Sequence, residues 1–244
     1  MKSLKLVAVA AALVALASSS ALATFSGQVW IPSTDVKGLK EVNVSIDNYA
    51  RISNAPDALA NYYDVGVTTG LLPFEKFKIE VGVDYLTDNV PGSAASKNPA
   101  YFNFKGGVPE DAFFAGMPAV AAGMYSMNSA SNALSANVAY GLIAKTLPVV
   151  GRLSVGGYNG AESVLGVNQN AGLLLSWDRT ISEISDKLWM AVDYQSGNNF
   201  LGATSVGASW AFSKQVSLLV GANFYNKIAT GGKTTMTTQL DINF

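Results

Sequence analysis

The chain has no cysteine and no histidine among its 244 residues. Without cysteine there is no disulfide, no thiolate nucleophile and no thiolate metal ligand. Without histidine, the Ser-His-Asp triad, imidazole-held metals and haem attachment are excluded together. Charge is scarce as well: Asp, Glu, Lys and Arg make up 14% of the chain, with 16 bases against 17 acids. That balance excludes a strongly basic nucleic-acid surface. No nucleic acid, metal or cofactor is therefore expected as a partner. Long apolar runs are also missing beyond the first residues. Ala112 to Ala144 carries no charge, but Gly116, Pro118, Gly123, Asn128 and Ser129 interrupt it. A helical membrane span needs about 18–20 consecutive apolar residues, so strands are expected there instead.

What is present begins with a leader. Lys2 and Lys5 precede an apolar run from Leu6 to Leu16, and Ala21-Leu22-Ala23 supplies a small-x-small cleavage site. The run is too short to span a membrane, so 1–23 is expected to be a cleaved signal peptide. Its removal takes away two bases and no acid, leaving 14 bases against 17 acids. The far end, Thr235 to Phe244, alternates polar and apolar up to a terminal aromatic. That is the form expected of a strand that closes a barrel wall.

Period-two alternation gives twelve candidate strands after Gly38. The clearest is Lys76–Tyr85, with Phe77, Ile79, Val81, Val83 and Tyr85 on one face and Lys76, Lys78, Glu80, Gly82 and Asp84 on the other. Val42–Asp47, Asn137–Leu142 and Leu188–Gln195 alternate in the same way, and Tyr63–Leu71, Pro99–Gly107, Pro118–Met127, Arg152–Tyr158, Ala171–Asp178, Gly202–Phe212, Val216–Tyr225 and the last strand complete the set. Links after even-numbered strands, such as Leu72-Pro73-Phe74-Glu75 and Ser213-Lys214-Gln215, are short. Links after odd-numbered strands are mostly longer and rich in Asn, Gly and Ser. Short turns at one parity and loops at the other predict an all-β, up-and-down antiparallel transmembrane β-barrel over 38–244. The expected count is about twelve, or ten if 99–127 is not a regular hairpin. Residues 24–37 form a short extra strand, a periplasmic tail or a plug in the lumen; Pro32 argues against a long central strand there.

The large apolar side chains fall on one alternating set. Phe77, Trp210, Phe212 and Phe244 are expected at the periplasmic edge of an aromatic girdle, and Tyr85 and Tyr194 at the outer edge. A soluble β-sandwich with the same alternation is the competing fold, and it would place aromatics centrally as often as terminally. The opposite face is expected to line the lumen, with Glu41, Asp47, Lys76, Lys78, Glu80, Asp84, Lys105, Arg152, Asp178, Asp193 and Asp241 as its charges. Seven acids against four bases predict a slight cation preference, unless the charges pair across strands and fill the interior. Small residues on that face, including Gly66, Gly70, Gly82, Gly141, Gly156, Gly207 and Gly221, would widen the bore.

The run Trp189-Met190-Ala191-Val192-Asp193-Tyr194-Gln195-Ser196-Gly197-Asn198-Asn199, the strand to Trp210-Ala211-Phe212, Val216–Gly221 and the ending Gln239-Leu240-Asp241-Ile242-Asn243-Phe244 resemble segments of porin- and transporter-like bacterial outer-membrane β-barrels. The resemblance covers roughly 188–244, and Gly70–Tyr85 is similar to segments of such proteins. Most of them have no known function, and some are labelled porins or transporters of small aromatic compounds. The likeness implies the fold and the outer membrane of a Gram-negative bacterium, and carries over no substrate and no active-site residue. The terminal Phe244 resembles the signal read by the barrel-assembly machinery. Enzymes among such barrels generally depend on a histidine, so none is expected here. The leading expectation is a porin-like barrel, partnered by outer-membrane lipid, that passes small solutes or ions. The alternative is a structural or partner-binding barrel with a filled lumen, acting through extracellular loops such as Asp88–Asn98 and Asn159–Asn170.

Overall fold

Twelve antiparallel strands close on themselves, each paired with its sequence neighbours and the first with the last. In this computed structural model the described residues are 27–55, 58–88, 90–91, 93, 97–128 and 135–244. The leader expected over 1–23, Thr24 to Ser26 and parts of the Asp88–Asn98 and 128–137 links lie outside them. The strands are β1 (Val42–Arg51), β2 (Tyr62–Gly70), β3 (Lys78–Thr87), β4 (Ala100–Val108), β5 (Ala119–Met127), β6 (Val138–Leu147), β7 (Gly151–Asn159), β8 (Ala171–Thr180), β9 (Leu188–Gln195), β10 (Ala203–Ala211), β11 (Val216–Tyr225) and β12 (Thr235–Asn243). Two single-turn helices, Glu162–Leu165 and Ile228–Gly231, sit in links after odd-numbered strands.

The seam pairs β1 with β12 from Asn43↔Asn243 to Arg51↔Thr235. Beyond the last ladder pair, Val42 and Phe244 exchange backbone hydrogen bonds (Val42 N to Phe244 O, 3.2 Å; Phe244 N to Val42 O, 2.8 Å). No edge is left unpaired, which is what a lipid-embedded sheet requires, since hydrocarbon offers no partner for a free N–H or C=O.

The alternation within each strand separates the two faces, with the inner one polar. Ser45, Asp47, Thr68, Glu80, Asn103, Lys105, Asp193, Asn223 and Gln239 are buried, while Ile46, Val65, Val83, Phe102, Val155, Leu173 and Val220 are exposed on the outside. This is the reverse of a soluble sandwich, whose apolar faces meet each other. Leaving so many branched and aromatic side chains in water would cost about 1.5–3 kcal/mol each, and hydrocarbon removes that cost. A closed antiparallel barrel of this kind is an outer-membrane β-barrel, and its place is the bacterial outer membrane.

One feature differs from the sequence expectations, and two agree with them. As expected, the uncharged stretch 112–144 forms strands, β5 and most of β6, and among the described residues no helix is long and apolar enough to cross a membrane. The weak alternation at 99–127 reflects a register shift between Phe102 and Phe104 in the β4–β5 ladder, so a bulge hides the period while both strands persist. In β6 the faces are inverted: Val138, Tyr140 and Leu142 point inward, and Ala139, Gly141 and Ile143 outward. Gly141 therefore does not line the bore. The cause is an apolar partner inside the barrel, described next.

Candidate functional site

Residues 27–38 run along the inside of the barrel. At their turn, Gln28 N donates to Ile31 O (2.7 Å), and Gly27 and Pro32 form an isolated antiparallel bridge. Asp193 of β9 receives this turn: one carboxylate oxygen accepts the backbone N–H groups of Val29 and Trp30, each at 2.8 Å. From β12, Gln239 Nε2 donates to Val29 O (2.8 Å). The Trp30 indole donates to Leu201 O (2.7 Å) and meets the rings of Tyr49 and Tyr225 edge to face, with centroids 5.3 and 5.7 Å away. Ile31 is fully buried against Tyr125, Val138, Tyr140, Leu142, Leu174 and Leu201. That cluster explains the inverted β6, because its large apolar residues pack on this segment rather than on lipid.

Two glycines on the wall make the fit. A Cβ on Gly207 would lie 2.9 Å from Val29 Cγ2, and one on Gly107 would lie 2.7 Å from Val36 Cγ2. Either contact is shorter than carbon atoms tolerate, so both positions need a residue without a side chain or a displaced segment.

Ion pairs hold the rest. Arg152 of β7 reaches Asp178 of β8 through Nε (2.9 Å) and Asp35 of the segment through Nη1 (2.7 Å). Asp178 also accepts Gln28 Nε2 (2.9 Å) and the Trp189 indole N–H (3.2 Å). Lys105 of β4 pairs with Glu80 of β3 at 3.1 Å, both side chains fully buried, and donates to Ser33 O (3.4 Å). The second Glu80 oxygen accepts Lys37 N at 2.8 Å. Burial disfavours charge on Asp35, but the Arg152 guanidinium beside it, helped by Lys105, holds its carboxyl below the usual carboxylate range.

The wall opposite the apolar cluster is acidic. Asp241, Asp47, Asp64 and Asp84 project inward from β12, β1, β2 and β3, with Asp47 directly across from Asp64 in the ladder. Asn43 Nδ2 donates to Asp241 (3.3 Å), Tyr49 Oη to Asp47 (3.3 Å) and Asn103 Nδ2 to Asp84 (2.8 Å).

Of the charges expected in the lumen, the structure gathers Glu80, Arg152, Asp178 and Asp193 around the segment and Asp47, Asp84 and Asp241 on the acidic wall. Lys78 begins β3, half-buried, opposite Gly107. Lys76 lies in the link 71–77 outside β3, exposed, 5.6 Å over the Phe113 ring. Glu41 precedes β1 and accepts Gly38 N. Lys76 sits at the rim because β3 starts two residues later than the alternation suggests, and Glu41 because it precedes Val42, where β1 begins. Phe77, Tyr85, Trp210, Phe212 and Phe244 are exposed, and Tyr194 is half-buried. Asp35, Asp64, Gln28 and Gln239 belong to the site without a clear sequence signal. Asp64 follows two tyrosines that blur the alternation, and the others are read only once the segment is known to enter the bore.

No known family model matches the chain, and no curated protein matches it. Among solved structures, outer membrane phospholipase A from Escherichia coli has a TM-score of 0.48 at 11% identity, covering 85% of this chain and 97% of that one. The Salmonella typhi outer membrane phospholipase dimer with bound calcium has a TM-score of 0.44 at 11% identity, covering 83% and 90%. A mutant of the Rh. blastica porin has a TM-score of 0.40 at 8% identity, covering 84% and 98%. These likenesses transfer neither activity nor ligand to this chain.

Proposed function

We propose that this outer-membrane barrel is a conduit for small solutes or ions whose bore is closed by its own N-terminal segment, residues 27–37. One observation carries the reading: the inner wall is polar, and much of what occupies it is a strip of chain held by non-covalent contacts. A barrel filled for strength alone is filled by the side chains of its own wall. Around the strip, the buried hydroxyls of Ser45, Thr68, Ser154, Ser176 and Ser217 have no protein hydrogen-bond partner. Buried hydroxyls need a partner, and in a polar bore that partner is water.

The closed state dominates in this reading. Freeing Val29 and Ile31 exposes two buried branched side chains, at about 3–6 kcal/mol together. Unassisted opening is then a rare event, in fewer than about one molecule in a hundred at any moment. Phe77, Trp210, Phe212 and Phe244 mark the periplasmic lipid boundary in this account, and Tyr85 and Tyr194 the outer one. Phe244 serves assembly. No enzymatic step is assigned.

The alternative, a permanently filled barrel acting through its outer loops, draws support from the same apolar cluster around Ile31. Planar-bilayer recording separates the two. Purified full-length protein is expected to be mostly silent with rare steps, and protein lacking 24–37 to conduct frequently. A folded deletion variant that stays silent supports the filled barrel and contradicts the conduit.

A further inference from the structure

The charges inside the barrel are unevenly committed. Three bases inside the barrel are committed: Lys105 has Glu80, Arg152 has Asp35 and Asp178, and Lys37 Nζ donates to Asn243 Oδ1 at 3.0 Å. Among the described residues, Asp47 of β1 and Asp84 of β3 have no such base, and Asp241 of β12 has only Lys37 at its end of the wall. Asp47 and Asp241 are 1% exposed and Asp84 is 7% exposed. Each spends one carboxylate oxygen on an uncharged donor, and the other oxygen (Asp47 Oδ1, Asp84 Oδ1, Asp241 Oδ2) has no protein partner. Asp47 also lies within electrostatic reach of Asp241, Asp64 and Asp84.

Two further buried groups point to a ligand. Ser45, fully buried, stands between Asp241 and Gly66 in the ladders and two residues from Asp47; its hydroxyl has no partner. Thr68, 1% exposed, carries a second unpartnered hydroxyl on the same inner face. Gly66 pairs with both Ser45 and Asp84 and puts no side chain between them. The segment itself brings an ammonium to the end of this wall, since Lys37 acts electrostatically on Asp241.

Like charges gathered out of bulk water need a counter-charge, and oxygen-only surroundings suit a hard cation or an ammonium. We propose that Asp47, Asp84 and Asp241, with the hydroxyls of Ser45 and Thr68, form a binding site for monovalent cations, alkali-metal or ammonium, that makes the opened bore cation-selective. Among the described residues no three of Asp, Glu, His and Cys converge on one point, so the wall offers an ion one carboxylate at a time rather than a chelating cage. The inference rests on the conduit reading and adds to it the class of solute.

The experiment reads reversal potential in planar bilayers under a potassium chloride gradient, from the openings of the full-length chain and of protein lacking 24–37; if the deletion variant does not fold, the full-length openings decide. Potassium is expected to permeate several-fold better than chloride. The combined Asp47→Asn, Asp84→Asn and Asp241→Asn variant is expected to bring that ratio close to one. Asp186→Asn, in the link 181–187, is expected to leave it unchanged. Should the triple variant fail to fold, Asp47→Asn and Ser45→Ala alone are each expected to lower the ratio. A conducting protein with no cation preference, or a preference that survives these changes, overturns the site and leaves the conduit standing. A folded but silent deletion variant overturns both.

Discussion

Asp193 accepts the backbone N–H of Trp30 at 2.8 Å through the same carboxylate oxygen that takes the N–H of Val29, and it is 1% exposed while doing so. A wall residue on β9 thereby fixes the turn of a segment more than 160 positions earlier in the chain. Hydrogen bonds to a charged acceptor contribute about 1.5–3 kcal/mol each. Asp193→Asn keeps the shape and removes the charge, so it is expected to loosen the segment by about 2 kcal/mol. Hydrogen exchange at Val29 and Trp30 checks this: faster exchange at these amides, with the strand amides unchanged, is the expected result.

Gly207 and Val29 offer a steric test. Gly207→Val places a Cβ 2.9 Å from Val29 Cγ2 and is expected to push the turn out of its seat, raising channel opening about tenfold or more. Adding Val29→Ala restores the space and is expected to bring opening back toward the original level. An increase that Val29→Ala leaves unchanged would place the clash elsewhere.

The contact between Asp35 and Arg152 predicts a pH dependence with a definite sign. The carboxyl of Asp35 is held below its ordinary value when the segment is seated. Its contribution is therefore complete above the free carboxyl's value of about 4 and fades as pH falls through the lower, seated value. The Asp35 side chain is 41% exposed, so the effect is under about 1 kcal/mol. Because the chain has no cysteine, a single Thr34→Cys reports the segment's exposure by thiol labelling. Samples held between pH 7 and 5 and then labelled together at neutral pH, where the thiolate fraction is the same, are expected to label equally. An acid pulse below about pH 4, followed by labelling at neutral pH before the segment reseats, is expected to give more. Asp35→Asn should show the higher level at neutral pH.

Phe244 is the residue through which the seam is completed, and its exposed ring lies beside the closing strand. Phe244→Ser keeps the backbone bonds to Val42 and removes the aromatic ring. Folded barrel recovered from outer membranes is expected to fall several-fold, measured by heat-modifiable gel mobility, while refolding of the purified chain in detergent stays near normal. Equal loss in both would assign Phe244 to stability instead of assembly.

The strands were legible because a lipid-facing wall forces period two on the sequence. Val216–Tyr225 is read to the residue, since Leu218, Val220 and Ala222 meet lipid while Ser217, Gly221 and Asn223 face inward. The rule failed at β6, where Val138, Tyr140 and Leu142 are large and apolar yet point inward onto Ile31. Alternation reports which residues share a face, and the face itself depends on what fills the barrel. Glu80 and Lys105 are both legible as inward charges. Their pairing follows from the β3–β4 register, which is set by the whole closed sheet. The course of residues 27–38 was the least legible feature: an extended strip with no period, whose partners are spread over β3, β4, β7, β8, β9 and β12.

The most direct measurement joins the segment to the wall. Val29→Cys and Gly207→Cys create the only two thiols in the chain, at positions where a Cβ on residue 207 would lie 2.9 Å from Val29 Cγ2. This pair is expected to form a disulfide on oxidation, the oxidised protein to be electrically silent, and reduction to restore rare openings. Failure of the two thiols to join in folded protein, or conduction undiminished by the bond, would mean that residues 27–37 do not close the bore.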